Sequence, residues 1–437
     1  MKVSGRNFSV VGAGRSGIAA ANALAQLGAD VLLVDGADKA RPARLDERVS
    51  YRSGSNAVRR GDVAVLSPGI PEVSPVRAEV AARASEVLGE VELFWRLCPA
   101  PVTAITGTDG KSTTTTMIGA IHEATGRATF VGGNLGNPLS EEIGLLSEAH
   151  MVVAEVSAFQ LTTCDTFRPQ IAVVTNIAED HLDYHGGYAP YQAAKRRIFL
   201  NMGKDDVLIL NRDDAQIATW DLPDAPKTRW FSLESTEADA YVKEGKLWLH
   251  GRPFMKREEL MLLGQHNIAN ALAAALAAEA AGVTDADIKR GLMGYKALPH
   301  RLETIDTIEG VRWVNDSKAT NPNAAAAGIS AIESSLILLA GGSSKDADFS
   351  EIAALIRART KHAILFGQTR QEIAEAIGSG HPTHCVETLV DAVALATTLA
   401  ERGDTVLLGP ACASYDQFKS YAHRGEVFTA LIHALRA

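Results

Sequence analysis

Cysteine is scarce in this chain: four in 437 residues, at positions 98, 164, 385 and 412. They show neither the CxxC spacing of zinc and redox sites nor the density of a disulfide scaffold, so a reducing cytoplasm is the expected compartment. Runs of basic residues are absent, and the formal net charge is -9 with a pI near 5.8. No nucleic-acid and no membrane partner is therefore expected, and anionic substrates must be met by local sites. Long hydrophobic runs are missing as well. The longest Ala-rich stretch, residues 270–282, carries Glu279 and is too short to span a bilayer. The N-terminus enters a strand pattern at once, Phe8-Ser-Val-Val11, and Gly12 and Arg15 interrupt any apolar run, so no signal peptide is expected. What is present is 46 % apolar residues over a length too great for one ordinary core, which calls for two to four domains.

The most informative segment is Val102-Thr-Ala-Ile-Thr-Gly107-Thr108-Asp109-Gly110-Lys111-Ser112-Thr113. An apolar strand runs into a Gly-punctuated loop, and Gly-Lys-Ser opens a Thr-rich helix. In such a loop backbone N–H groups wrap phosphate oxygens, the lysine neutralises β and γ charge, and the following hydroxyl holds Mg²⁺. The strict phosphate-loop pattern wants glycine where Ile105 stands, so the match is a variant in which Gly107 supplies the extra turn. The plainer alternative is a strand-to-helix turn with an exposed lysine.

A second glycine pattern, Gly12-x-Gly14-x-x-Gly17 followed by Asp35, lies in a βαβ opening over residues 8–35. It reports a diphosphate near a helix N-terminus, which a nicotinamide dinucleotide or a nucleotide-sugar diphosphate satisfies equally; the plainer alternative is a tight turn. The strand 63–66 runs into Ser67-Pro68-Gly69-Ile-Pro71, a tight turn at the strand end where ligands usually sit. Pro99 and Pro101 break the chain before the phosphate-loop strand. Further strands are expected at 151–156, 171–175 and 207–210, then an Ala-rich helix over 266–281 and a linker at 296–300. From residue 311 a third strand–loop–helix pattern begins, with strands at 311–314, 336–340, 363–366 and 405–408.

Polar groups gather at these strand ends. Glu155 closes an apolar strand and is a plausible Mg²⁺ ligand beside the phosphate loop; alone it would read as a solvated rim residue. Asn176 to His185 collects acid and imidazole groups, including Asp180, His181 and Asp183, without completing a zinc set. Capping aspartates in a polar loop are the alternative there. Lys195 sits on a helical segment where spacing alone gives a surface charge. Asn315-Asp316-Ser-Lys318-Ala-Thr320-Asn321-Pro322 follows the first strand of the third pattern, and His300-Arg301 and Ser414-Tyr-Asp-Gln-Phe418 supply further polar loops.

Together, Gly-Thr-Asp109-Gly-Lys-Ser, Gly132-Gly-Asn134-Leu-Gly136, Glu155-Val-Ser-Ala-Phe-Gln, residues 176–183, Tyr191 to Lys195, Gly264-Gln-His-Asn267-x-x-Asn270, His300-Arg301 and Asp316 to Asn321 resemble the Mur ligase family over nearly the whole chain. The resemblance implies an α/β protein of three domains: a Rossmann-like UDP-substrate domain at 1–97, a central P-loop-type parallel-sheet ATPase domain at 98–298, and a Rossmann-like amino-acid-binding domain at 299–437. Within the family it is to members that use ATP to add D-glutamate to UDP-N-acetylmuramoyl-L-alanine through an acyl phosphate, in peptidoglycan precursor synthesis. It further implies that Gly107, Thr108, Asp109, Gly110, Lys111, Ser112, Thr113, Asn267, Asn270, His300, Arg301 and Asp316 bind ATP. Ser112, Glu155, His181 and a carbamylated Lys195 would serve Mg²⁺, and Asn134 the acyl phosphate. Ser16, Asp35, Ser67, Pro68 and Gly69 would receive the uridine nucleotide, and Lys318, Thr320, Lys345, Ser414 and Tyr421 would surround D-glutamate. A monomer is expected. The chain departs from the family pattern at Asp109, where many relatives carry Asn, at Gly341-Gly-Ser343-Ser344-Lys345, where Asp-Gly-Lys is more usual, and at Tyr421, often Phe.

Overall fold

Twenty strands form three sheets in the computed structural model, which describes residues 1–343 and 348–436; Ser344 and Lys345 lie outside the described residues. The first sheet contains β1 (Asn7–Val11), β2 (Asp30–Asp35), β3 (Ser50–Ser53), β4 (Val63–Leu66) and β5 (Glu86–Gly89). Its order is β3-β2-β1-β4-β5, all parallel. The chain leaves β1 for one side and returns to the other at β4, so the crevice between their C-terminal ends is a topological switch point.

The second sheet holds β6 (Val102–Thr106), β7 (Thr129–Gly133), β8 (Met151–Glu155), β9 (Ile171–Val174), β10 (Val207–Asn211), β11 (Lys227–Ser232), β12 (Ala240–Lys243), β13 (Lys246–Leu249) and β14 (Arg252–Lys256). Its order is β14-β13-β12-β11-β10-β9-β6-β8-β7. β6 is central, flanked by β8 and β9, and every residue of β6, β8 and β9 is buried, as sheets covered on both faces require. The third sheet holds β15 (Glu303–Ile308), β16 (Val311–Asn315), β17 (Leu336–Gly341), β18 (His362–Phe366), β19 (Thr383–Cys385) and β20 (Thr405–Leu408), in the order β15-β16-β20-β17-β18-β19.

The expectation of parallel sheets holds for the first sheet and for the cores of the other two, which three antiparallel pairs extend: β12 with β13, β13 with β14, and β15 with β16. Each is closed by a two-residue turn with both residues at positive φ: Glu244-Gly245, His250-Gly251 and Glu309-Gly310. This is the hairpin geometry whose twist matches that of the strands it joins.

The chain divides into two compact units, Met1–Leu260 with Ala269–Tyr295, and Met261–Ile268 with Lys296–Ala437. In the first unit one apolar cluster runs from Phe8, Val10 and Leu24 through Phe94 and Phe167 to Phe199 and Leu208. Glu92, buried on the helix Glu90–Leu97, accepts backbone N–H groups of Asp165, Thr166 and Phe167 and so ties that helix to the second sheet. In the second unit Leu338, Ile352 and Leu365 centre one cluster, and Trp313, Phe366 and Phe428 another. The helix Gln265–Ala280 is buried all round over residues 271–278, which accounts for its alanine content. Pro322–Ala331 starts with Asn321, whose side chain accepts from Ala324 N–H, and with Pro322 in the first turn, where a missing N–H costs nothing.

Candidate functional site

In the first unit the loop after β6 is held by the strand beside it. Thr108 N–H donates to the Asn176 carbonyl at 3.0 Å, and Asp109 N–H to Asn176 Oδ1 at 2.8 Å. Thr175 Oγ1 and Asn176 Nδ2 both donate to the Asp109 carbonyl, so the backbone of Asp109 is fixed while its side chain is exposed. Gly107 has φ +145°, and a Cβ there would lie 1.9 Å from Thr175 Oγ1; only glycine fits. The resulting turn presents the Gly107 carbonyl to two ammonium groups. Lys111 Nζ donates to it at 3.0 Å and to the Thr108 carbonyl at 2.7 Å, while Lys195 Nζ donates to it at 2.6 Å.

Lys195 is buried, and its ammonium lies 4.5 Å from the Tyr191 ring centroid. Burial first, and then the charge of Lys111, pull its pKa down to about 7. Tyr191 is itself pushed up to about 12 by burial, and its hydroxyl meets Thr108 Oγ1 at 3.0 Å. At the end of β8, Glu155 is 2 % exposed. Its Oε1 accepts from Asn134 Nδ2 at 2.7 Å, whereas its Oε2 is buried with no hydrogen-bond partner. A buried carboxylate oxygen without a donor is costly unless a cation meets it, and Mg²⁺ takes oxygen ligands of this kind. Ser112, buried at the start of the helix Lys111–Ala124, supplies the hydroxyl of the same loop. Among the described residues no preformed cluster of three or more His, Cys, Asp or Glu side chains could hold a metal by itself.

After β9, His181 is half exposed, 3.4 Å from Asp180, and has φ +50°. Its neighbour His185 is buried and stacks on Phe159 at 5.3 Å, with no partner for either ring nitrogen. In the first sheet both oxygens of Asp35 are used by backbone: Ala13 N–H donates to Oδ2 at 2.7 Å and Ala37 N–H to Oδ1 at 2.9 Å. The carboxylate thus shapes the glycine loop after β1. Ser67 N–H donates to the Val11 carbonyl at 3.0 Å, which brings the Ser67-Pro68-Gly69 turn beside that loop at the switch point. Ser16 lies in the first turn of the helix Arg15–Gln26 on the same edge. Tyr184 OH reaches the Pro68 and Ile70 carbonyls at 3.0 and 3.1 Å, joining this turn to the loop that carries His181. Asn270 also belongs to this unit, where its Oδ1 accepts from Thr114 Oγ1 at 3.2 Å.

In the second unit the C-terminal ends of β16, β17 and β20 converge. Asp316 is 8 % exposed, accepts Leu302 N–H at 3.1 Å, and is pushed by burial up to about 7. His300 and Leu302 have φ of +64° and +43°, backbone strain of the kind that collects at binding sites. Lys318 Nζ lies 5.6 Å from the Tyr421 ring centroid, and that ring meets the His300 ring edge-on at 6.3 Å. Thr320 follows two residues on, its N–H donating to the Lys318 carbonyl at 2.8 Å. Ser414 is buried; Ser343 N–H donates to the Ala413 carbonyl at 2.9 Å, so the β17 and β20 loops are joined beside it. Asn267 is anchored through Nδ2 to the Leu263 carbonyl at 2.7 Å. Arg301 lies between His300 and the strained Leu302. Lys345, expected near D-glutamate, falls outside the described residues.

Two residues to which the sequence reading gave no role hold this edge together. Arg424 is fully buried, and its guanidinium makes five bonds: to Ser317 Oγ and the carbonyls of Ser317, Gly341, Cys412 and Ala413. One side chain thereby ties the ends of three strands, and burial lowers its pKa to about 10. Its signal was available, since Arg424, Phe428 and Ile432 form one helical stripe at i, i+4 and i+8. Asn315, also fully buried, had no such signal.

The Mur ligase middle domain family model matches residues 105–278, and the Mur ligase, glutamate ligase domain model matches 300–412. A UDP-N-acetylmuramoylalanine--D-glutamate ligase from Caldanaerobacter subterraneus subsp. tengcongensis is 38 % identical over 451 residues, covering 100 % of both chains. One of the same name from Pelotomaculum thermopropionicum is 38 % identical, covering 98 % of this chain and 97 % of its own. Among solved structures, the UDP-N-acetylmuramate-alanine ligase of Thermotoga maritima superposes with a TM-score of 0.61 at 18 % identity, over 98 % of this chain and 99 % of that one. A MurF ligase of Thermotoga maritima, solved in complex with ADP, gives 0.60 at 16 % identity, over 100 % and 96 %. With sequence identity of this extent over its full length, and family domains that include the phosphate loop and the converging strand ends of the third sheet, the chain belongs to the Mur ligase family.

Proposed function

We propose that this protein joins D-glutamate to UDP-N-acetylmuramoyl-L-alanine at the expense of ATP, forming ADP and phosphate in peptidoglycan precursor synthesis. Members of the family are ATP-dependent ligases, and the full-length relatives carry this activity in their names. The structural observation that carries the reading is the pair of lysines converging on one carbonyl beside a buried glutamate with an unpaired oxygen. The Lys111 ammonium at a helix N-terminus favours a polyanion, and the lone carboxylate oxygen favours its metal counter-ion.

The chemistry explains why a nucleotide is spent. A carboxylate is a poor electrophile, so its oxygen attacks the γ-phosphorus, the bond to the bridging oxygen breaks, and ADP leaves. The amine of D-glutamate then attacks the acyl carbon, the bond to phosphate breaks, and the amine gives up a proton. Most of the protein's work is alignment and charge neutralisation. Lys111 is read as the β,γ-phosphate lysine, and Asn134 as a contact to the acyl phosphate. Mg²⁺ would neutralise phosphate charge; Ser112 and Glu155 are read as holding one ion, and His181 with Lys195 a second. Lys195 fits that role as a carbamate. With burial lowering its pKa to about 7, the free amine is accessible at neutral pH, and the free amine is the form that adds to CO₂ with loss of a proton.

Asn267, Asn270, His300, Arg301 and Asp316 are read as adenosine and phosphate contacts, and Lys318, Thr320, Lys345, Ser414 and Tyr421 as the D-glutamate site. Ser16, Asp35 and the Ser67-Pro68-Gly69 turn are read as the uridine site. Each sheet is taken as one domain, at 1–97, 98–298 and 299–437. No helix among the described residues is long and apolar enough to cross a membrane. A cytoplasmic monomer remains the expected form, to be checked by fractionation and sedimentation.

The test is ADP release with Mg-ATP and UDP-N-acetylmuramoyl-L-alanine, supplying D-glutamate, L-glutamate, L-lysine or D-alanyl-D-alanine in turn. Release that depends on D-glutamate alone is the expected result. Release with another amine would move the specificity to a sister ligase, and tight nucleotide binding without release would mean a nucleotide-binding regulator.

A further inference from the structure

His300 is held in place by several independent contacts. Its backbone is left-handed at φ +64°, its N–H donates to Glu303 Oε2 at 2.8 Å, and its carbonyl accepts from Lys318 N–H at 3.1 Å. The imidazole lies against the bare Cα of Gly425, where an added Cβ would come within 2.2 Å of Nδ1. A ring fixed this firmly has a defined direction for each nitrogen.

Asn315, the last residue of β16, faces one of those nitrogens. Its Oδ1 accepts from Ser317 N–H at 3.1 Å and its Nδ2 donates to the Gly425 carbonyl at 3.0 Å. A backbone N–H can only donate and a carbonyl can only accept, so these two contacts determine which way the amide points. Nδ2 therefore stands 3.1 Å from His300 Nδ1 as a donor. Thr429 Oγ1, at 3.3 Å from Nδ2, is a hydroxyl and can accept from either amide hydrogen. A proton on Nδ1 would set two N–H groups head to head inside a buried network. With Nδ1 accepting, the single proton of the neutral ring is on Nε2.

We propose that Asn315 is a positioning residue that locks His300 in the Nε2–H tautomer. His300 then offers its ligand one hydrogen-bond donor, and no lone pair at Nε2 with which to bind a metal or take up a proton. This rests on reading His300 as a nucleotide contact, and it sharpens that reading: the partner atom is a nucleotide acceptor, such as a phosphate oxygen.

The test uses the full chain with ¹⁵N-labelled histidine and a long-range ¹H–¹⁵N correlation spectrum at alkaline pH, with His300 assigned by its loss in His300→Gln. A pyridine-like Nδ1 and a pyrrole-like Nε2 are expected. The opposite pattern, or an average of both tautomers, overturns the proposal. Asn315→Asp keeps an acceptor for Ser317 N–H but turns an acceptor towards Nδ1, so the pattern should reverse. In Asn315→Ala the two tautomers should average and KM for ATP should rise about tenfold, the loss of one oriented hydrogen bond, with a smaller change in kcat. A folded Asn315→Ala with unchanged spectrum and KM would remove the positioning role. Should either variant fail to fold, the spectrum of the unaltered protein still decides. No substrate enters that spectrum, so its outcome is separate from that of the ADP-release assay.

Discussion

Two buried titratable residues, Lys195 and Asp316, have opposite relations to pH. Burial and Lys111 lower Lys195 to about 7, so the free amine dominates only above that value. If the working form is the carbamate, activity should fall as pH drops through about 7, and added bicarbonate should restore part of it. Lys195→Ala should lose most activity and recover some with a small carboxylate such as acetate; full activity without one would exclude the carbamate. Asp316 is raised by burial from 3.8 to about 7. Between about pH 4 and 7 the unfolded chain has released this proton while the native protein keeps it. Stability therefore declines as pH rises through that window and levels off above it. Asp316→Asn retains an acceptor for Leu302 N–H and removes the buried charge. It should flatten the decline, with a gain at pH 8 of up to about 4 kcal/mol, and should weaken nucleotide binding. Urea unfolding at pH 4.5 and 8 checks this, and an unchanged slope would count against it.

At the scale of elements, the phosphate loop depends on a backbone that only glycine adopts. Gly107→Ala would put a methyl into Thr175 Oγ1 and move the carbonyl on which Lys111 and Lys195 meet. The expected result is a KM for ATP raised at least tenfold and stability lowered by about 1–3 kcal/mol; nucleotide titration showing wild-type affinity would refute it. The strands legible in the sequence were those buried on both faces between turn signals, such as Val63–Leu66 and Thr405–Leu408. β3, with the sequence Ser-Tyr-Arg-Ser and alternating half-exposure, and β7, which ends in two glycines, carry no such run. The three hairpins were missed for one reason: their turns are Glu-Gly or His-Gly rather than the usual Asn-Gly or Asp-Gly, although the φ angles are those of that class. The site divides similarly. Lys111, Glu155 and Asp316 stand at strand ends where a motif announces them. Lys195 was readable only by resemblance, because a lysine on a helix is ordinarily solvated. Asn315 acts through burial and amide orientation, which appear only once β16 lies beside the helix Tyr421–Ala434.

At the scale of the whole molecule, the chain should unfold in more than one cooperative step. The cluster around Phe8 and Phe199 belongs to the first unit, and those around Ile352 and Phe428 belong to the second. The second unit takes residues 261–268 from the middle of the sequence, and Leu263 packs into its core. A fragment cut at residue 296 would therefore lose part of that core. A protein built from units with their own cores need not melt as one. Phe199 and Phe428 are each at most 1 % exposed, one in each unit. Truncating either to alanine removes about 3–5 kcal/mol from the core it belongs to. In scanning calorimetry of the ligand-free protein, the calorimetric enthalpy should exceed the van't Hoff enthalpy. Phe199→Ala should lower one transition and Phe428→Ala the other. A single transition with matching enthalpies, displaced equally by both substitutions, would show that the two units unfold as one.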